Sequence, residues 1–118
     1  DYYTDLTDIA REYLEGEFEI DAIEMTSDEI LSEVRKIHLD DLVFNKLEKT
    51  LTTADLVKFA KATPLSAENE EAFKNINSFV EESYTFHQEL EKKKMEEAKA
   101  KKYDFEEHTE NQEMEETK

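Results

Sequence analysis

Histidine is the side chain best suited to metal binding and to proton transfer near neutral pH, and this chain of 118 residues has three: His38, His87 and His108. A zinc site needs converging ligands, which on a helix stand about one turn apart, as in the HExxH motif. The three histidines lie far apart in the sequence, and no such pairing occurs. The sequence therefore predicts no metal site, and it contains no motif for a cofactor.

A calcium loop is the second chemistry to consider, because the stretch from Asp104 places oxygen-bearing side chains at alternating positions, at Asp104, Glu106 and Glu110. His108 occupies a ligand position of such a loop, and Thr109 stands where the loop needs glycine. We interpret this stretch as a solvated acidic run.

The remaining candidates for catalysis lack the surroundings that catalysis needs. The acidic pairs Asp40-Asp41 and Glu81-Glu82 are expected by chance among thirty-two Asp and Glu, and helix starts and solubility explain them better than a general acid or base does. No serine lies in a GxSxG motif, and a single glycine, Gly16, excludes a Gly-rich phosphate loop. We therefore predict that the chain is not an enzyme.

The stretch Ala54–Lys61 is the most unusual segment, because Asp55, Lys58 and Lys61 interrupt an apolar run in a strongly acidic chain. The ordinary explanation is a core helix whose lysine stems cover apolar surface while their ammonium groups reach water. The alternative is a dedicated contact face for a partner protein. Asp55, Lys58 and Lys61 are therefore the candidate partner-contact residues.

Net charge limits the kind of partner. Fifteen Lys and Arg against thirty-two Asp and Glu give a formal net charge of -17. This charge repels the phosphate backbone of DNA or RNA and disfavours docking on anionic lipid. The longest apolar runs, such as Leu42-Val43-Phe44, are too short to cross a membrane. We expect a protein partner, no nucleic acid and no direct lipid binding by these residues.

Helices must position these side chains, because one glycine and one proline, Pro64, are too few for the tight turns of a β or α/β fold. Apolar residues from Tyr2 to Leu14 follow helical spacing. Thr4 is the expected N-cap of this first helix, and Gly16 is its expected end.

Two further helices are indicated in the middle of the chain. Thr26 and Glu29 form a capping box for a short helix over about residues 27–36. A third apolar stripe follows the pair Asp40-Asp41, and the threonines of residues 50–53 leave open whether one bent helix or two abutting helices result.

The fourth expected helix begins after Pro64, with Ser66 as its N-cap, and carries the clearest amphipathic stripe, from Ala72 to Tyr84. Most of the large aromatic side chains, Phe59 among them, are expected in the core that the helices enclose. We expect the fourth helix to belong to this core through its apolar face.

The C-terminal part of the chain is expected to stay outside the core. From Gln88 onward, charged residues surround too few apolar ones to bury, and beyond Tyr103 the composition is that of a disordered tail. The predicted fold is all-α: a small bundle of about four or five helices with a charged helical extension and a disordered acidic C-terminal tail. Residues 1–87 form the helical domain, and residues 88–118 form the extension and tail.

Several segments are together similar to a known family: Tyr2–Asp8, Arg11–Glu15, Ala22–Leu31, Ala54–Lys61 and Phe79–Glu82. Over about residues 2–84 the chain resembles the cytoplasmic C-terminal domain of bacterial membrane proteins associated with the aerotolerance (Bat-type) gene cluster. The resemblance implies a transmembrane segment before this domain, a position at the cytoplasmic face of the inner membrane, and an interaction role without catalytic residues. The start at Asp1 rather than Met is the start expected for such a piece.

Three classes of function are considered. The first is a non-enzymatic cytoplasmic protein-interaction domain of a membrane-anchored bacterial protein. The alternative is a helix-turn-helix-like regulatory domain, since three short helices can imitate that arrangement. Its recognition helix would be the third, which offers only Lys46 and Lys49 among acidic residues. A small hydrolase would require an apolar pocket with converging titratable groups.

Overall fold

The computed structural model describes the backbone of residues 1–116 and the side chains of residues 1–102. The elements in chain order are α1 (Tyr2–Phe18), a 3₁₀ turn (Ala22–Glu24), α2 (Ser27–Arg35), α3 (Asp41–Ala60) and α4 (Ser66–Glu116). No strand occurs in the described backbone, so the predicted all-α fold is confirmed. The chain divides into two units, Asp1–Thr85 and Phe86–Lys118, where the sequence analysis placed a boundary after residue 87.

Helix α1 begins and ends at other residues than expected. Asp1, not Thr4, is the N-cap, and its carboxylate accepts a hydrogen bond from the Tyr3 backbone N–H at 3.2 Å. Gly16 lies inside the helix, which ends at Phe18. Glu19 takes the left-handed conformation of the C-cap, with φ 57°. The glycine signal was misleading because a longer side chain occupies the position for which glycine is favoured.

The next two helix starts follow the local rules of capping. The capping box of α2 is confirmed: Thr26 Oγ1 accepts from the Glu29 N–H, and Glu29 Oε1 accepts from the Thr26 N–H, both at 3.3 Å. Asp40 is the N-cap of α3 and accepts from the Leu42 N–H at 2.8 Å. The pair Asp40-Asp41 therefore marks a helix start, as expected.

Helix α3 is one helix rather than two abutting ones. The threonine cluster does not interrupt it: Thr50 is buried, and its hydroxyl donates to the Lys46 carbonyl of the preceding turn at 3.0 Å, so the polar group is satisfied inside the helix. Ser66 is the first residue of α4 rather than its N-cap. The Leu65 N–H donates instead to Glu68 Oε1 at 3.1 Å.

In the first unit, contacts between helices define the packing. Helix α1 packs on the 3₁₀ turn and on α3, and α2 packs on α3. Tyr3 bonds to Asn69 and Tyr13 to Ser83, so α1 and this part of α4 run in the same direction. The core is formed by these buried apolar residues: Tyr3, Leu6, Ala10, Leu14, Ile20, Ala22, Ile30, Val34, Val43, Phe44, Leu47, Leu51, Ala54, Ala72, Ile76 and Phe79.

The aromatic side chains divide between core and surface. Phe44 and Phe79 are buried, as expected. The expectation was wrong for Phe59, Phe73 and Tyr84, whose side chains are about half or more exposed. The reason is helical phase: Phe73 and Tyr84 lie outside the buried series Ala72, Ile76, Phe79 and Ser83 of α4, and Phe59 lies outside the buried series Leu47, Leu51 and Ala54 of α3.

The second unit consists of the continuation of α4, so the charged helical extension is present. His87 Nε2 lies 3.5 Å from Glu91 Oε1, one turn further along. The backbone of α4 is helical to Glu116, whereas the sequence predicted disorder beyond Tyr103. The side chains of residues 103–118 lie outside the described part of the chain, and the disorder stays a prediction. Among the described residues, none of the helices combines the length and the apolarity needed to cross a bilayer.

Candidate functional site

A groove of about 650 Å³ lies in the first unit, between α1, the segment that leads into α2, and the C-terminal part of α3. We call it the α1–α3 groove. The α1 wall consists of Tyr3, Thr4, Thr7, Asp8, Arg11 and Glu12. The turn wall consists of Ile23, Glu24, Met25, Thr26 and Ser27. The α3 wall consists of Leu51, Ala54, Asp55, Lys58 and Phe59. Such a volume falls within the range of about 300–1,000 Å³ that is typical of ligand sites.

Arg11 ties the α1 wall to the turn wall. Its Nη1 donates hydrogen bonds to the backbone carbonyls of Ala22, at 2.7 Å, and Met25, at 2.5 Å. Hydrogen bonds from a charged guanidinium are stronger than those between neutral groups. Ile23 lies between the two bonded carbonyls, so its position relative to α1 is held. Arg11 could not be identified from the sequence, because its partners are backbone carbonyls, which every residue carries.

Asp55 ties the α3 wall to the start of α2. The Ser27 hydroxyl donates to Asp55 Oδ1 at 3.1 Å. Ser27 is the first residue of α2, where the helix dipole favours a nearby carboxylate. Asp55 therefore lines the groove and also joins two of its walls.

Lys58 and Phe59 form the outer part of the α3 wall. The Lys58 ammonium nitrogen lies 5.2 Å from the centre of the Phe59 ring, within the range of a cation–π contact. The Phe59 side chain is 75% exposed, and that of Ile23 on the turn wall is 52% exposed. Two large apolar side chains on different walls are therefore accessible from the groove.

The three predicted partner-contact residues are not brought together. Asp55 and Lys58 line the groove, whereas Lys61 does not. Lys61 is the C-cap of α3, in the left-handed conformation with φ 54°, and its backbone N–H donates to the Leu56 carbonyl. Its position past the end of the helix explains the difference, because the helical spacing that would place it near Lys58 no longer applies.

The charge of the groove is mostly negative. Asp8 and Glu12 stand one turn apart on α1 and so share a face, and Glu24 lies on the turn wall. In the part of the chain with described side chains, none of these three carboxylates has an ion-pair partner. The two cations of the lining, Arg11 and Lys58, do not neutralise them.

Tyr3 forms part of the scaffold rather than a reactive group. Its hydroxyl donates to Asn69 Oδ1 on α4 at 2.8 Å. Burial raises the pKa of Tyr3 above its ordinary value, and the nearby Glu68 carboxylate raises that pKa further. The phenol therefore stays protonated near neutral pH and serves as a hydrogen-bond donor.

The groove offers surface and charge rather than a set of catalytic groups. Among the residues with described side chains, its lining contains no histidine or cysteine. Ser27 bonds to Asp55 directly, without the imidazole that a Ser-His-Asp triad places between them. Among the described residues, no three His, Asp or Glu side chains lie close enough together to hold a metal ion. The arrangement suits binding of a ligand.

The lysines on which a DNA-reading α3 would depend are already paired. Lys46 Nζ donates to Glu82 Oε2 at 2.8 Å, and Lys49 Nζ donates to Glu71 Oε1 at 2.5 Å. Both carboxylates belong to α4, so they would surround a phosphate with negative charge. This geometry does not favour the helix-turn-helix alternative.

The chain matches no protein-family model, no curated protein and no solved structure. The resemblance to the Bat-type domain therefore stays a prediction.

Proposed function

We propose that the first unit is a non-enzymatic protein-interaction domain, which binds a peptide segment of a partner protein in the α1–α3 groove. Phe59 is the observation that carries this proposal, because its exposed ring stands on the groove wall of a highly charged molecule. Covering an exposed aromatic ring is favourable, and aromatic side chains contribute strongly to the binding energy of protein interfaces.

The scaffold of the groove supports the same proposal. The Arg11 bonds join α1 to the turn wall, and the Ser27–Asp55 bond joins α2 to α3. A site whose walls are held before binding loses less conformational entropy when it captures a ligand. A membrane anchor before this domain and a location at the cytoplasmic face of the inner membrane belong to the proposal as well, and only the Bat-type resemblance supports them.

A peptide selection with a matched counter-selection tests the proposal. A phage-displayed random peptide library is selected on the full chain, and peptides that also bind the Phe59→Ser variant are removed. We expect peptides whose affinity falls at least about tenfold in Phe59→Ser, a loss of about 1.4 kcal/mol. Circular dichroism checks that the variant remains helical, as expected for an exposed side chain.

Leu56→Ser is the matched control. Leu56 is 51% exposed and lies less than one turn before Phe59 on α3, but it does not line the groove. Its replacement removes a large apolar side chain from the exposed surface of α3, as Phe59→Ser does. The proposal fails if no peptide distinguishes the wild-type chain from Phe59→Ser, or if Leu56→Ser weakens binding as much.

A further inference from the structure

The lining of the α1–α3 groove also indicates the chemistry of its ligand. We propose that the bound segment is basic and carries at least one large apolar side chain. This inference rests on the proposed function, since it names the kind of partner segment that the same groove selects.

The apolar requirement follows from the positions of Phe59 and Ile23. Phe59 belongs to the α3 wall and Ile23 to the turn wall, so apolar surface reaches the groove from two sides. Both side chains are more than half exposed. A large apolar side chain of the ligand would remove part of both from water, which polar residues alone would not accomplish.

The preference for a basic ligand follows from the carboxylates of the groove that have no ion-pair partner. Asp8, Glu12 and Glu24 have no ion-pair partner among the residues with described side chains. Arg11 is held by two backbone carbonyls, which leaves Lys58 as the exposed cation of the lining. With Asp55, the lining holds four carboxylates against the two cations Arg11 and Lys58, so it repels an acidic ligand and attracts a basic one.

The charge of the whole chain acts in the same direction. A formal net charge of -17 attracts cationic segments over distances longer than the groove itself and repels anionic ones. Complementary charge of this kind raises the rate of association and discriminates against wrong partners. A nucleic acid, which presents phosphates, is disfavoured by the same balance.

The test compares two charge-reduced chains with the same net charge. Peptides from the selection are synthesised with a fluorophore, and their affinity for the full chain is measured by fluorescence anisotropy. We expect the selected peptides to be rich in Lys or Arg with an aromatic or large aliphatic residue. The double variant Asp8→Asn/Glu12→Gln should weaken binding about tenfold.

The control pair is Glu70→Gln/Glu81→Gln on α4. Both residues are exposed and outside the groove lining, so this variant should change the affinity less than about twofold. Equal weakening by both pairs would show diffuse attraction by the whole chain and would overturn the inference of a local site.

The remaining outcomes separate the two proposals. Neutral or acidic peptides whose binding depends on Phe59 would overturn the basic ligand and leave the interaction groove standing. The absence of any Phe59-dependent peptide would overturn both. The chain has its own lysine-rich stretch at 92–102, so a second copy is another candidate occupant of the groove. Sedimentation of the chain alone tests this possibility. Self-association that Phe59→Ser abolishes would overturn the inference of a separate partner.

Discussion

Single polar side chains join the helices of the first unit to one another. Arg11 bonds to the turn before α2, Tyr13 bonds to Ser83, and Lys46 bonds to Glu82. Within the described part of the chain, no buried side-chain nitrogen or oxygen lacks a hydrogen-bond partner. An unpaired buried polar atom costs about 1–3 kcal/mol, so removal of one member of such a pair should be measurable.

Tyr13 provides the clearest case, because its hydroxyl shares a 2.8 Å hydrogen bond with the fully buried Ser83. Its ring also contacts the edge of Phe79, at 6.3 Å between ring centres, and Tyr13→Phe keeps a ring of the same size there. We expect Tyr13→Phe to lower the free energy of unfolding by about 1 kcal/mol. Urea denaturation measures this change.

A double-mutant cycle with Ser83→Ala isolates the hydrogen bond. Tyr13→Phe and Ser83→Ala together should cost less than the sum of the two single changes, by about 1 kcal/mol. The Ser83 hydroxyl also bonds to the Val80 carbonyl at 3.3 Å, so Ser83→Ala alone removes more than one contact. Additive costs would mean that the Tyr13–Ser83 bond contributes nothing to stability.

Glu82 should make stability depend on pH. Hydrogen bonds from Lys46 and Ser78 hold the pKa of the Glu82 carboxyl below its ordinary value near 4.5. Because the folded pKa is lower than the unfolded pKa, the stabilisation is present above the ordinary value and is lost as the pH falls through the folded pKa. In Lys46→Met we expect the pKa of Glu82 to rise, as measured by NMR titration of its carboxyl carbon.

Lys74→Met is the control for this titration. It removes one positive charge from α4 without removing a hydrogen-bond donor from Glu82. If both variants raise the pKa of Glu82 equally, general electrostatics rather than the Lys46 hydrogen bond sets that pKa.

At the scale of the elements, the sequence predicted those features that depend on near neighbours. The capping box of Thr26 and Glu29 and the helix start at the pair Asp40-Asp41 involve residues at most three positions apart, and both were predicted correctly. The end of α1 was wrong, because Glu19 rather than Gly16 takes the left-handed conformation. Such an exception depends on where tertiary packing ends the helix, which local preference does not determine.

The exposure of Phe59 could have been predicted from the helical period of α3. The buried face of α3 follows Leu47, Leu51 and Ala54, and continued spacing leads to Val57, which packs against the core, rather than to Phe59. Strict application of this period would have placed Phe59 away from the core. The aromatic character of Phe59 was therefore a poorer guide than its position.

Glu19 is the basis of a prediction for α1. A non-glycine residue in the left-handed conformation costs about 1–2 kcal/mol, of which glycine's larger loss of chain entropy offsets a part. The Glu19 carboxylate also stands at the negative end of the helix dipole. We expect Glu19→Gly to raise the free energy of unfolding by about 0.5–1 kcal/mol, as measured by urea denaturation.

Glu19→Ala separates the two contributions to this effect. Alanine removes the charge but keeps the Cβ atom that disfavours the left-handed conformation. Its stability should therefore rise less than that of Glu19→Gly. Equal stabilisation by alanine and glycine would show that the charge, and not the backbone conformation, is the unfavourable feature.

At the scale of the whole molecule, composition was sufficient for the fold class but not for the candidate site. Scarcity of glycine and proline indicated helices, and α1 to α4 are present. The α1–α3 groove combines residues as distant in sequence as Tyr3 and Phe59, and Asp8 and Glu24 gain their role only from that packing. The unusual stretch Ala54–Lys61 supplies most of the α3 wall. One continuous segment of sequence can indicate such a wall, but not the walls that other segments add.

The excess of acidic residues should set the response of the whole molecule to salt. The ion pairs Lys46–Glu82, Lys49–Glu71 and Arg35–Glu48 are at least partly exposed, so each contributes about 0–1 kcal/mol, and salt weakens them. The repulsion from a net charge of -17 acts over longer distances. Salt screens this repulsion more strongly than it weakens the pairs, since the Debye length falls from about 30 Å at 0.01 M to about 10 Å at 0.1 M.

We therefore expect the melting temperature, followed by circular dichroism, to rise by about 5 °C between these salt concentrations, equally in NaCl and KCl. The control Glu70→Gln/Glu81→Gln, which carries less negative charge, should show a smaller rise, and a fall in melting temperature on adding salt would mean that the ion pairs outweigh the repulsion.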